Sequence, residues 1–229
     1  MQRFAWFKWQ ALFHDWHLFG QGLVKTVSTS ALALVVALAL GILFGIMATA
    51  PWRGTRLISR AYVDVIQNTP LFTQVMFFFY ALGHWKIYPT PLWIGVIGLG
   101  TYHGAYVAEV VRAGIQSIHR GQMEAALSQG FTYSGAMRHV VLPQAIQVIL
   151  PPLTNQAVAL IKNSAILATI SGYDLMHMAD SWSAEKGYYG PAYLAVWVVY
   201  FLLCFPLATY ARKLEARVAR ERGGEVKAA

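Results

Sequence analysis

Lys162 is the residue whose type and place most demand a chemical explanation. It stands in the apolar run 153–170, ten residues beyond the Pro151-Pro152 pair, or roughly 15 Å along a helix. An ionisable group at that depth of a bilayer is costly and marks a functional candidate. Asn155, Lys162 and Asn163, at spacings of seven and eight, are read as one polar helix face. Asn68 and Thr69 lie at a similar depth in an earlier run, about 12 Å from Arg60. Pro70 donates no backbone hydrogen bond, so the helix is expected to kink or open there. Irregular backbone within a bilayer is tolerated where it lines a cavity or is buried in protein. Amides, a hydroxyl and an ammonium around one cavity suit a zwitterion, with Lys162 facing its carboxylate. The other role open to Lys162 is a structural ion pair with Asp64 or Glu109, although Glu109 has Arg112 three residues on.

Other chemistries find no footing. No acid, base and nucleophile converge in one plane, as a membrane enzyme would need. A Gly-x-x-x-x-Gly-Lys-[Ser/Thr] loop is absent, so the chain cannot cradle ATP phosphates itself. His103 has no second ligand at metal spacing, so no metal is expected and a packed or interfacial histidine is. Cys204 is the only cysteine, which excludes an intramolecular disulfide or a cysteine zinc cluster.

The elements that must position these residues are membrane spans. Of 229 residues, 57% are hydrophobic and 12% charged, about half the charge of a soluble domain. The mean hydropathy is +0.45. A span needs about 20 apolar residues. The segments 23–48, 58–82, 92–111, 153–170 and 192–210 qualify, with the proline pair expected to break the helix before the fourth. Gly41 and Gly45 form a small-xxx-small pair in the first, as helix packing uses. Segment 1–21 lacks the compact apolar core and cleavage site of a signal peptide, so the first span is expected to be retained. The expectation is one all-α membrane domain over 22–212, followed by a basic tail, 213–229.

Charge sets the orientation. With the N-terminus outside, twelve Lys and Arg fall inside: Arg53, Arg56, Arg60, Arg112, Arg120, Arg138 and the six from Arg212 to Lys227. Five fall outside: Arg3, Lys8, Lys25, Lys86 and Lys186. The positive-inside rule then favours N-out and C-in. The formal charge of +8 lies between and after the apolar runs, not in a stripe interleaved with aromatics, so no nucleic acid is expected. The segment 174–186 is either an amphipathic outer element that meets a partner or an ordinary loop.

The inner loop at about 117–142 carries more pattern than membrane physics requires. Gln122 to Gln129 reads as a short helix, with Glu124 expected in its first turn, where the dipole favours a carboxylate. Ala125 and Ala126 offer a smooth surface for close approach, and Gly130 is placed to end the helix in a left-handed cap. Thr132 or Ser134 suits the cap of a second helix, and Leu142-Pro143 the start of a third. Glu124-Ala125-Ala126, three residues, Gly130 and then Leu142-Pro143 resembles the signature of binding-protein-dependent ABC permeases, the loop that docks on the ATPase.

The flanks narrow the resemblance. Tyr106-Val-Ala-Glu109-Val-Val-Arg112-Ala-Gly-Ile-Gln-Ser117, Leu142-Pro-Gln-Ala145, Lys162-Asn163-Ser164 and Gln67-Asn68-Thr69-Pro70-Leu71 look like the polar amino-acid permeases, the group of histidine, arginine, glutamine and glutamate/aspartate importers. The likeness covers about 22–212. It departs at Gln67-Asn68-Thr69-Pro70, where many members have Arg-Gly-Thr-Pro, and at Lys162-Asn163-Ser164-Ala165-Ile166, where Lys-x-Thr-Ser-Leu is usual. Both departures fall where the path should lie and bear on substrate. The resemblance implies a type I ABC importer permease fold of about five spans in the bacterial inner membrane. It also implies an ATPase dimer that uses ATP and Mg, a periplasmic amino-acid-binding protein, and a second permease copy or sister permease. This chain would bind no cofactor itself. Lys162-Asn163-Ser164 after Thr154-Asn155-Gln156 leans to the glutamate, aspartate or glutamine branch. The competing class, an ion-coupled secondary transporter, would show internal repeats and coupled carboxylates, and neither is visible.

Overall fold

Backbone N–H and C=O groups in hydrocarbon must be satisfied within the chain, which leaves helices or closed barrels. In the computed structural model, which describes residues 4–84 and 86–228 and side chains as far as Val218, every regular element is helical. Arg3, counted in the charge balance, and the side chains of Arg220, Arg222 and Lys227 lie outside the described residues. A short aromatic helix α1 (Trp6–His14) leads into α2 (Trp16–Thr49); then come α3 (Arg53–Gln67), α4 (Leu71–His84) and α5 (Pro91–Gln116). The loop helices are α6 (Arg120–Ser128) and α7 (Tyr133–Ala136), followed by α8 (Leu142–Asn163), α9 (Leu175–Lys186) and α10 (Tyr189–Ala228).

Among the described residues α2, α5 and α10 are long and apolar enough to cross a membrane on their own, and α4 is a shorter apolar helix. The second expected span is composite. It breaks between α3 and α4 at Asn68-Thr69-Pro70, as the proline required, and Gln74 fastens the break by donating from Nε2 to the carbonyls of Ile66 (2.9 Å) and Thr69 (3.0 Å). The fourth span departs from expectation. Instead of beginning after the proline pair, α8 starts at Leu142 and runs through Pro151 and Pro152, then tightens into a 3-10 segment, Ser164–Ile170. Both prolines lie inside the helix at the cost of two backbone bonds, and neighbouring helices pack on this stretch: Pro151 is buried and Ile149 packs on Gly114.

The core sits where α2 crosses α5. A Cβ at Gly41 would lie 2.2 Å from Val107 Cγ1, and one at Gly45 2.5 Å from Val111 Cβ, so only glycine allows this approach. Tyr62 of α3 closes the side by stacking on Phe44 (4.2 Å) and donating to the Thr101 carbonyl (2.7 Å). At one end of α2, Leu12, Phe19, Leu175, Ala179, Trp182, Ala192 and Val196 pack α1, α9 and α10 together. Trp182 also donates from Nε1 to Asp15 (2.8 Å). At the other end, Val107, Val111, Ile115, Met137, Val141, Ala145 and Ile149 seat the α6–α7 loop. Gly22 and Thr49 are 27 positions apart on one helix, so α9 and α6 stand at opposite ends of the bundle, about 40 Å apart.

Candidate functional site

Each feature of the α6–α7 loop has a local cause. His119 caps α6, its Nδ1 accepting from the Gly121 N–H (3.1 Å). The helix therefore starts at Arg120, and Glu124 falls in its second turn, not the first as the sequence suggested; no acid occupies the first turn. Gly130 ends the helix with φ +87°. Its N–H donates to the Leu127 carbonyl (3.0 Å) and the Phe131 N–H to Ala126 (3.1 Å), the paired bonds of a Schellman cap. Thr132 caps α7 through Oγ1, accepting from the Gly135 N–H at 3.2 Å. Pro143 has no N–H for the His139 carbonyl, and Met137–Val141 relaxes into one π-helical turn just before it.

The loop is tied inward and bare outward. Ala126, Ala136 and Met137 are buried, and Tyr133 donates to the Thr49 carbonyl at the end of α2 (3.1 Å). Gln122 accepts from Gln144 of α8 (3.4 Å). Leu142 is half-buried and Pro143 exposed at the start of α8. Gln122, Glu124, Ala125, Leu127 and Phe131 are exposed, so α6 presents a short mixed face with one carboxylate and two large apolar side chains. A rigid knob of this kind, rooted on α2, α5 and α8, can transmit a push from a partner into three spans.

The intramembrane polar residues are not gathered as the sequence suggested. Asn68 Nδ2 donates to the Asp64 carbonyl (2.7 Å) and Thr69 Oγ1 to Val65 (2.8 Å), so both side chains fold back on α3. Asn155 reaches across to Glu215 of α10 (2.7 Å), and Lys162 lines a groove with Trp197, Tyr200, Phe201 and Cys204 of the same helix. Asn163 instead turns to α5, where its amide meets His103 Nε2 (3.1 Å). Positions eight apart on a helix differ by about 80°, and that offset separates Asn163 from the face of Asn155 and Lys162.

The sequence reading missed a chain of three side chains. His103, buried, joins Gln156 at Nδ1 (3.2 Å) and Asn163 at Nε2 (3.1 Å) between α5 and α8. Nε2 accepts from the Asn163 amide, which puts the proton on Nδ1, donating to Gln156 Oε1. The signal was the spacing of seven between Gln156 and Asn163, opposite a histidine in a glycine-rich span. The suggested carboxylates are engaged elsewhere: Asp64 pairs with Arg60 (3.4 Å) and Glu109 with Arg112 (2.6 Å). Among the described residues Lys162 makes no ion pair. At the α6 end, a cavity of about 460 Å³ lies between α3 and α5, lined by Arg56, Arg60, Asp64, Glu109, Arg112 and Gln116.

Residues 21–220 match the family of binding-protein-dependent transport system inner membrane components. The chain is 37% identical over 209 residues to "Probable glutamine ABC transporter permease protein GlnM" of Bacillus subtilis strain 168, covering 91% of this chain and 97% of that protein. It is 32% identical over 195 residues to the glutamate/aspartate import permease protein GltJ of Escherichia coli K12, covering 80% and 79%. A crystal structure of an amino acid ABC transporter with histidines superposes with a TM-score of 0.83 at 32% identity, covering 91% of this chain and 97% of that one.

Proposed function

The chain belongs to the binding-protein-dependent transport system inner membrane components, and on that premise we propose that α6 couples its spans to a separate ATPase. An amino acid ABC importer permease of the inner membrane is not itself an enzyme, so the energy must arrive through a surface. The single observation that supports α6 is its build: a buried Ala126 root, a Gly130 turn and an exposed Glu124-Ala125 flank. An ATPase dimer using ATP and Mg would grip that knob from the cytosol, with the N-terminus outside and the C-terminus inside. A periplasmic binding protein would deliver substrate at the α9 end. A second permease copy or sister permease would complete the path, since Asn68, Thr69, Asn155, Lys162 and Asn163 turn to different elements among the described residues.

Glutamine, glutamate or aspartate is the proposed cargo, carried over from the relatives GlnM and GltJ. A Lys162 without a counter-charge among the described residues supports a carboxylate-bearing solute as its partner. The coupling role is tested by cysteine cross-linking in the complex with the ATPase subunit. Ala125→Cys in a Cys204→Ser background should cross-link to the ATPase, while Ser181→Cys on α9 should not. The reverse pattern would place the ATPase at the other end and defeat the proposal.

A further inference from the structure

The start of α9 holds a carboxylate in surroundings built for its acid form. Asp174 is 1% exposed. Its Oδ2 caps α9 by accepting from the Met176 N–H (3.1 Å), and its Oδ1 has no partner. The hydroxyl of Tyr200, from α10, is also buried; it sits among the hydroxyls of Thr26 and Ser164, with Asp174 beside it. Ser30, one turn beyond Thr26 on α2, is a buried hydroxyl without a partner.

The packing around this pocket is tight. Thr26 Oγ1 accepts from the Leu175 N–H (3.0 Å), and a Cβ on Gly22 would fall 2.9 Å from Leu175 Cα. The chain enters through Ser171 and Tyr173, both at positive φ (55° and 54°), a conformation that non-glycine residues keep only when held by their surroundings.

The charged and titratable neighbours are few. On α9, His177 stands one turn away with its ring against Tyr173 and Ser181. Tyr200 faces the pocket from α10, with Cys204 and then Lys162 beyond it. From α2 come Thr26 and Ser30, which carry no charge. Burial opposes the anion and pushes the Asp174 carboxyl up to about 6, against the backbone N–H groups of Met176, Asp174 and His177 and the His177 ring, which favour it less strongly.

We propose that Asp174 is a proton-binding site, and that the neutral acid latches α9 to α2 and α10 at the end of the bundle opposite α6. One proton on Oδ1 turns that oxygen from an unmatched acceptor into a donor facing the hydroxyl cluster of Tyr200, Thr26 and Ser164. Loss of the proton leaves a buried charge in the seam that backbone N–H groups and His177 offset only in part. Because α9 abuts the 3-10 segment that ends α8, and α8 begins at the α6–α7 loop, the latch acts on a helix that spans both ends. The pKa is raised on packing, so the latch holds below about 4 and weakens as pH rises through about 6.

The test is hydrogen exchange of α9 backbone amides in the assembled transporter in lipid nanodiscs, corrected for intrinsic exchange. Opening of α9 in the wild type should increase about tenfold between pH 5 and pH 8 and level off at the top. Asp174→Asn keeps the cap and should stay protected and flat across that range. Tyr200→Phe, which removes one hydroxyl of that cluster, should raise opening at pH 5 and change little at pH 8. A flat wild-type profile would overturn the proposal even if the variants fail to assemble. So would an unchanged slope in Asp174→Asn, or protection restored at pH 8 by sodium but not potassium, which would make the pocket a cation site.

Discussion

Replacing Gly130 isolates backbone strain from every other effect. Its φ of +87° lies in the left-handed region, and a Cβ built there meets nothing within 4 Å. A substitution therefore creates no clash, and its whole cost is conformational. That cost is about 1–2 kcal/mol for a residue with a Cβ, more for a β-branched one and less for asparagine. An imbalance of 1–2 kcal/mol is about a 5–30-fold change in the population of a turn. If the turn orients α6 against the ATPase, binding-protein-stimulated ATP hydrolysis should fall in the order Gly130→Asn, Gly130→Ala, Gly130→Val. The last should lose about five-fold or more, with membrane levels kept. Gly54→Ala is the control, because Gly54 is equally open and has no positive φ. Stimulated hydrolysis at wild-type level in Gly130→Val, or a loss in Gly130→Asn equal to that in Val, would refute the reasoning.

Three further outcomes follow from the packing. Gly41→Leu forces α2 from α5, where a Cβ would already be 2.2 Å from Val107; overpacking of this kind costs about 1–3 kcal/mol, so the detergent melting temperature should drop, whereas Gly20→Ala, in open space, should leave it unchanged. Gln74→Leu strips the Thr69 carbonyl of its side-chain donor and the Ile66 carbonyl of one donor among several, a loss of about 1–3 kcal/mol, which should appear as protease cleavage at the α3–α4 break; resistance equal to wild type would count against the clasp. Lys162→Met should leave complex yield intact and reduce uptake, since neither Asp64 nor Glu109 depends on it; failed assembly rescued by neutralising either acid would contradict this.

Local chemistry was legible where one residue type decides the outcome. Gly130 ends α6, Thr132 caps α7, Pro70 opens the second span and the runs of α2 and α10 cross the membrane, each for a reason present in a few consecutive residues. What escaped depends on contacts between distant segments. The prolines of α8 look like a break until α5 and α10 are packed against them. Glu124 slipped one turn because His119, an uncommon cap, sets the start of α6. The polar face of α8 split in two because a period of 3.6 sends Asn155 and Lys162 toward α10 and Gln156 and Asn163 toward His103. Asp174 gave no sign in sequence, because its burial comes from Gly22 and Tyr200, on helices 152 and 26 positions away.

Uptake by the reconstituted complex tests the central claim most directly. Proteoliposomes carrying this chain with its ATPase, its partner permease where that is a distinct chain, ATP and Mg inside and the binding protein outside should accumulate radiolabelled glutamine, glutamate or aspartate. Accumulation should stop when ATP is replaced by a non-hydrolysable analogue or when the binding protein is left out, and an ion gradient alone should not drive it. Accumulation driven by a proton or sodium gradient without ATP would contradict the account and return the chain to the secondary transporters.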